Sequence, residues 1–152
     1  MTPERSEARW RLVDLPTATD ERGSLSIVET GGQVDFLIHR ARWIYNVPPT
    51  AKRGGHGHHR NAQLFVAVSG TVGVVVDDGL GNERSRQRFT LDSPARGLLI
   101  RELVWIDTES FSSDAVLVML GSEPHHPSDY IRDYGEFVAA ARGSGSGRSA
   151  TT

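Results

Sequence analysis

The chain has 152 residues, 38% of them hydrophobic, and no cysteine, a length that suits one domain with its own buried core. Seventeen basic and 19 acidic residues leave a formal net charge of -2, so no overall field marks it as a partner for nucleic acid or a membrane surface, and an anionic ligand must be held by local cations. The missing cysteines exclude disulfides, thiolate nucleophiles and thiolate-bound zinc together.

The first residues, Met-Thr-Pro-Glu-Arg-Ser-Glu, are polar and acidic where a secretory leader needs a basic end and an apolar run. They set the expectations of a cytoplasmic protein and a flexible start. From residue 23 to 122 short runs of Val, Ile, Leu and Phe alternate with Gly, Pro, Asp and Asn clusters, the rhythm of an all-β domain. The pattern predicts strands over 24–29, 34–38, 41–47, 63–69, 71–76, 87–91, 97–100 and 115–120. Asp77-Asp78-Gly79 is a hairpin-type turn, because Asp and Gly tolerate positive φ. None of the apolar runs approaches the length of a membrane span. A sandwich or a barrel follows, the cupin jelly roll among them. After Pro127, Ser128 is a candidate cap for a short helix carrying Asp129, Tyr130, Ile131, Asp133, Tyr134, Phe137 and Val138. The Gly-Ser-rich end from Arg142 has too few apolar groups to offset the entropy of ordering and is expected to be disordered. The domain plan is a leading segment 1–20, a β domain 21–138 and a disordered tail 139–152.

The segment Arg53-Gly54-Gly55-His56-Gly57-His58-His59-Arg60-Asn61-Ala62-Gln63, with Gly70 beyond it, carries the chemistry. It opens into a strand, on which His56 and His58 share a face and His59 points the other way. Gly54, Gly55 and Gly57 leave that surface uncrowded, which suits close approach of a ligand. The spacing resembles the first cupin motif, in which His-x-His is followed by an acidic ligand and then glycine. Here Gln63 stands at the acidic position. In metal-binding cupins a further His follows on a later strand, and the matching place after Val104-Trp105 holds Ile106. Two imidazoles and a neutral amide lack the carboxylate and third nitrogen of a tight metal site, so no metal is expected. The histidines are then free for proton transfer near neutral pH. His39, His59, His125 and His126 have no such context and receive no role.

Several segments in order resemble the nucleotide-sugar 3,4-ketoisomerases of the cupin superfamily, which act on dTDP-4-oxo-6-deoxyglucose. They are Arg22-Gly23-Ser24-Leu25, Arg40 with Trp43-Ile44, Arg53 to His58, Asp77-Asp78-Gly79, Leu91-Asp92-Ser93-Pro94-Ala95 with Gly97-Leu98, Phe111-Ser112-Ser113-Asp114 and Asp129-Tyr130-Ile131-Arg132. The resemblance implies a metal-independent isomerase without cofactor, a homodimer whose subunits exchange N-terminal strands, and a His pair beside the sugar ring. His56 is the candidate base at carbon 3 and His58 the candidate relay, a division that the residues alone leave reversible. Arg40 and Arg53 are candidates for the diphosphate, with Trp43 and Gln63 as further substrate-binding candidates. Arg132 is read as an anchor for the helix. Arg42 stands where the family carries tyrosine and is an added cation for sugar or phosphate, whereas Ile106 departs from a histidine. Two other readings are a sugar-nucleotide epimerase and a non-catalytic nucleotide-sugar-binding cupin, the latter motivated by Ile106. The product configuration at carbon 4, gluco or galacto, is open.

Overall fold

The computed structural model describes residues 8–146, the side chains of 144–146 excepted. Among these residues the strands, in chain order, are β1 (Trp10–Asp14), β2 (Thr17–Asp20), β3 (Gly23–Ser26), β4 (Arg40–Tyr45), β5 (Arg53–His58), β6 (Gln63–Ser69), β7 (Val72–Asp77), β8 (Arg86–Leu91), β9 (Arg96–Ile100), β10 (Trp105–Glu109), β11 (Val116–Gly121) and β12 (Tyr130–Ile131). One helix, α1 (Tyr134–Ser146), follows them.

Two five-stranded sheets run β1-β9-β6-β11-β4 and β12-β5-β10-β7-β8, and β2 pairs with β3 as a separate hairpin. Between β4 and β12 the chain crosses repeatedly from one sheet to the other, so the pair forms a jelly-roll sandwich of the cupin kind. Alternation along the strands supplies the core between them. Phe65, Leu98, Ile100 and Leu117 of the first sheet meet Val72, Val74, Val76 and Ile106 of the second. Each such side chain contributes roughly 1.5–3 kcal/mol by leaving water.

A second apolar layer covers part of the outer face of the first sheet. Val34, Phe36 and Ile38 pack there with Leu64, Val66 and Leu99. The strand expected over 34–38 is thus a loop that keeps period-two alternation but uses it to lie on a sheet rather than to join one; its sole ladder contact is the bridge of Thr30 with Val34. In the leading segment, Trp10–Asp14 is a strand on β9 of the same chain, in the register Trp10 with Ile100 through Asp14 with Arg96. Residues 1–7 lie outside the described residues.

The C-terminal part departs most. Pro127–Asp129 forms a single 3-10 turn, and Tyr130 and Ile131 then pair with His58 and Gly57 of β5. The helix expected from Ser128 begins only at Tyr134. Asp133 starts it: its carboxylate accepts from the Glu136 amide at 2.9 Å, which satisfies one of the amides a helix start leaves unpaired, and its carbonyl accepts the first helical bond, from the Phe137 amide. Phe137 and Ala141 dock with Ile131 against Leu103 and Trp105. Tyr134 donates to Asp77 Oδ2 at 2.7 Å, and Arg142 Nε donates to the Gly79 carbonyl at 3.0 Å. Docked turns propagate a helix through residues of poor propensity, so 139–146, expected as disordered tail, are helical. Residues 147–152 lie outside the described residues.

Candidate active site

β5 reads Arg-Gly-Gly-His-Gly-His. His56 pairs with Ile106 of β10, a core residue, so the His56 and His58 face looks into the sandwich while Gly57 looks out. A Cβ on Gly57 would sit 3.0 Å from Phe137 Cδ1 and 3.1 Å from the Val104 carbonyl oxygen. Gly54, at φ +95°, would place a Cβ 2.6 Å from the Ile106 carbonyl oxygen. These glycines admit the helix and the neighbouring backbone, not the ligand expected from the sequence.

The two imidazoles lie 5.0 Å apart at 86°. The Tyr130 ring, delivered by β12, is 5.1 Å from His56 and 4.5 Å from His58. His58 Nδ1 meets Asp129 Oδ2 at 3.2 Å, and both side chains are buried. The same carboxylate accepts from the backbone amides of Arg60 at 2.8 Å and Asn61 at 3.2 Å. An ionised carboxylate only accepts, so Nδ1 carries the proton and Nε2 presents its lone pair. Nε2 is buried and has no hydrogen-bond partner among the described residues. Burial first, and then the neighbouring His56, pull the His58 pKa down to about 4, against the pull of Asp129. Burial likewise lowers that of His56. Both rings are therefore neutral at pH 7, ready to take a proton.

The arginines divide by strand alternation. On β4, Arg40, Arg42 and Ile44 turn inward, whereas Trp43 and Tyr45 are 59% and 58% exposed on the opposite face. Trp43, expected in the pocket, is outside it, beside Ser113 and Asp114. Arg42 donates to Gln63 Oε1 at 2.6 Å and lies 3.5 Å from the Tyr130 hydroxyl. Gln63 is 1% exposed and so braces a guanidinium rather than a histidine. Arg40 contacts His125 Nδ1 at 3.0 Å, and its buried Nε has no partner. Arg53 is exposed at the start of β5, its carbonyl accepting from Thr108 Oγ1. Arg132, expected only to anchor the helix, lies with its guanidinium carbon 4.6 Å above the Tyr130 ring. Among the described residues no group of three or more His, Cys, Asp or Glu is placed to hold a metal ion. The position facing His56 is filled by the Ile106 alkyl group, 3% exposed.

Asp129 and Tyr130 escaped the reading of the sequence as site residues. The only signal was their presence in an ordered set of family-like segments; nothing local says that position 129 returns to position 58.

Paired inward histidines in a jelly-roll sandwich make a cupin-type site with groups suited to acid–base work on a small molecule. The comparison with known proteins narrows this further. Residues 8–142 match the family described as FdtA: WxcM-like, C-terminal, and the chain belongs to that family. It is 35% identical over 127 residues, 84% of this chain and 88% of the relative, to a TDP-4-oxo-6-deoxy-alpha-D-glucose-3,4-oxoisomerase of Aneurinibacillus thermoaerophilus. Among solved structures, a 3,4-ketoisomerase from Helicobacter canadensis superposes with TM-score 0.81 at 31% identity, covering 88% of this chain and 97% of that one. A variant of QdtA, the 3,4-ketoisomerase of Thermoanaerobacterium thermosaccharolyticum, crystallised with TDP-4-keto-6-deoxyglucose, gives 0.83 at 26%, covering 94% and 98%. Sugar epimerases from Streptomyces spheroides and Legionella pneumophila share the fold at 18% and 16% identity.

Proposed function

We propose that this chain is a sugar-nucleotide 3,4-ketoisomerase that converts dTDP-4-oxo-6-deoxyglucose to a dTDP-3-oxo-6-deoxyhexose. The observation that carries the reading is the inward His56–His58 pair, with His58 Nδ1 on the Asp129 carboxylate. The carbonyl at carbon 4 acidifies the proton on carbon 3. His56 removes that proton, leaving an enediolate with its charge on oxygen 4. The proton of oxygen 3 then passes to oxygen 4 through the enediol level, carbon 4 gains the proton that His56 took, and the carbonyl stands at carbon 3. The sum is a tautomerisation with no change in oxidation level, so no redox cofactor is required.

His58 suits the oxygen-to-oxygen transfer. Its Nε2 lone pair accepts a proton, the imidazolium so formed is stabilised by the Asp129 carboxylate, and the same Nε2 returns the proton to the second oxygen. Arg40, turned inward on β4, and Arg53, exposed at the start of β5, are our candidates for the diphosphate. The alkyl side chain of Ile106 opposite His56 favours a metal-independent route.

A homodimer belongs to this proposal. The outer face of the first sheet leaves Trp43, Tyr45 and Val68 exposed, and the β2–β3 hairpin and following loop expose Leu25, Ile27 and Leu37, apolar surface of the kind that marks an interface. No helix among the described residues is long and apolar enough to cross a membrane. A cytoplasmic setting is part of the reading and rests on the bacterial relatives of this family.

Proton NMR of dTDP-4-oxo-6-deoxyglucose in deuterated water tests the whole. The expected result is a 3-oxo product carrying deuterium, formed by the wild type and at least about a thousandfold more slowly by His56→Asn and His58→Asn. A folded wild-type protein that binds the nucleotide sugar but neither converts nor exchanges it is a binding module instead.

A further inference from the structure

Arg42 is a cation in an unusual place. It sits on the inward face of β4, paired in register with the buried Met119 of β11, and its guanidinium is held from two sides: Gln63 Oε1 accepts at 2.6 Å and the Tyr130 hydroxyl lies 3.5 Å away. The charged or ionisable groups that act on it are Tyr130, Arg40 and Arg53. None of them is a carboxylate. Burial makes its charge costly, lowering its pKa, and its field in turn disfavours protonation of both His56 and His58. A guanidinium taken partly out of water without a counter-ion is a poor stability device, yet two neutral polar groups hold it in one orientation beside the reacting pair.

We propose that Arg42 is a catalytic residue that stabilises the negative charge developing on the substrate's enediolate oxygen, and not an anchor for the diphosphate. The inference rests on the ketoisomerase reading, because that reaction puts charge on an oxygen of the sugar ring beside His56 and His58. Tyr130 supplies the geometric link: its ring packs on both imidazoles and its hydroxyl faces Arg42, so the guanidinium borders the same space as the two bases. A preorganised cation at that position opposes the charge only when it forms, which is the condition for lowering a barrier rather than tightening binding. It also keeps the histidines in the form that accepts protons. Gln63, standing where the cupin motif has an acidic residue, takes on a purpose here. A carboxylate at 2.6 Å would neutralise the guanidinium; an amide oxygen orients it and leaves its charge available.

The test compares Arg42→Gln and Arg42→Lys with wild type, using conversion of dTDP-4-oxo-6-deoxyglucose for kcat and KM and calorimetric titration of TDP alone for nucleotide affinity. Arg42→Gln should lower kcat about 100-fold or more, with KM and TDP affinity within about threefold of wild type. Arg42→Lys, which keeps the charge, should recover at least about a tenth of the wild-type kcat and fixes the answer if the glutamine variant does not fold. A tenfold or greater loss of TDP affinity with kcat retained, in either variant, makes Arg42 a phosphate anchor and overturns the proposal. So does a glutamine variant indistinguishable from wild type. Absence of conversion by the wild-type enzyme sinks the ketoisomerase reading itself, an outcome seen before any variant is compared.

Discussion

The space between the two sheets has two halves built on opposite terms. At one, Phe65, Ala67, Val72, Val74, Leu91, Leu98 and Leu117 fill it with hydrocarbon, all of them 3% exposed or less. At the other, Arg42, Gln63, His56, His58 and Tyr130 face one another, and His58 Nε2 and Arg40 Nε stay buried without a partner among the described residues. A buried polar atom left unpaired costs about 1–3 kcal/mol. The filled half supplies the stability that lets the polar half remain unsatisfied, and in the proposed reaction the unsatisfied atoms are available to the substrate, His58 Nε2 to the sugar and Arg40 Nε to the diphosphate.

Three experiments break or sharpen that contrast. Asp129→Asn leaves the shape of the polar half but offers an amide N–H donor to His58 Nδ1, which favours the tautomer with Nε2 protonated. We expect kcat to fall on the order of 10³-fold, by analogy with triads whose orienting carboxylate is lost, and stability to fall by about 1–3 kcal/mol because the Asn61 amide loses its acceptor; kinetics of the folded fraction beside a melting curve separate the two effects. Leu98→Ala, in the filled half, should do the reverse, removing about 3 kcal/mol of stability in denaturant titration while the folded fraction keeps its activity. The smallest effect is pH-dependent. His58 is held to about 4 in the fold, below its ordinary value, so between pH 6.5 and 4 the unfolded chain binds more protons than the folded one. Stability is therefore lost as pH falls through that window, by at most about 3 kcal/mol. Urea midpoints across the window should fall less steeply for His58→Asn than for wild type. Parallel curves would remove His58 from the acid sensitivity of the fold.

How far the sequence reveals this arrangement differs between the halves. β6 matches its expected span, 63–69, and β8, β9 and β11 lie within a residue of theirs, because runs such as Val-Leu-Val-Met-Leu read unambiguously. The sidedness of His56 and His58 was likewise legible from period two. On β4 the same rule misleads about which side is inside. Trp43 reads as a pocket residue together with Arg40 and Arg42, yet neighbours on a strand face opposite ways, and the structure turns the two arginines inward and Trp43 outward. Alternation gives the phase of a strand, and the choice of inner face assumes an apolar interior, which fails where the interior is a site. β10 went unread for a similar reason, since Trp-Ile-Asp-Thr-Glu mixes charge into a buried strand. β12 is two residues long, too short for any periodicity. Asp129 lies 71 residues from the histidine it orients, a distance only the tertiary fold can close.

That last separation bears on how the protein comes into being during synthesis. The strand with both histidines leaves the ribosome early, followed by most of the filled half. The acid that sets His58, the tyrosine that touches both rings and the helix seated on Gly57 all emerge with the final stretch of the described chain. The last core strand, β11, thus emerges just ahead of the segment that orients His58. The residues that orient His58 arrive last, and a premature stop between β11 and β12 would leave both sheets without β12 and His58 unaligned.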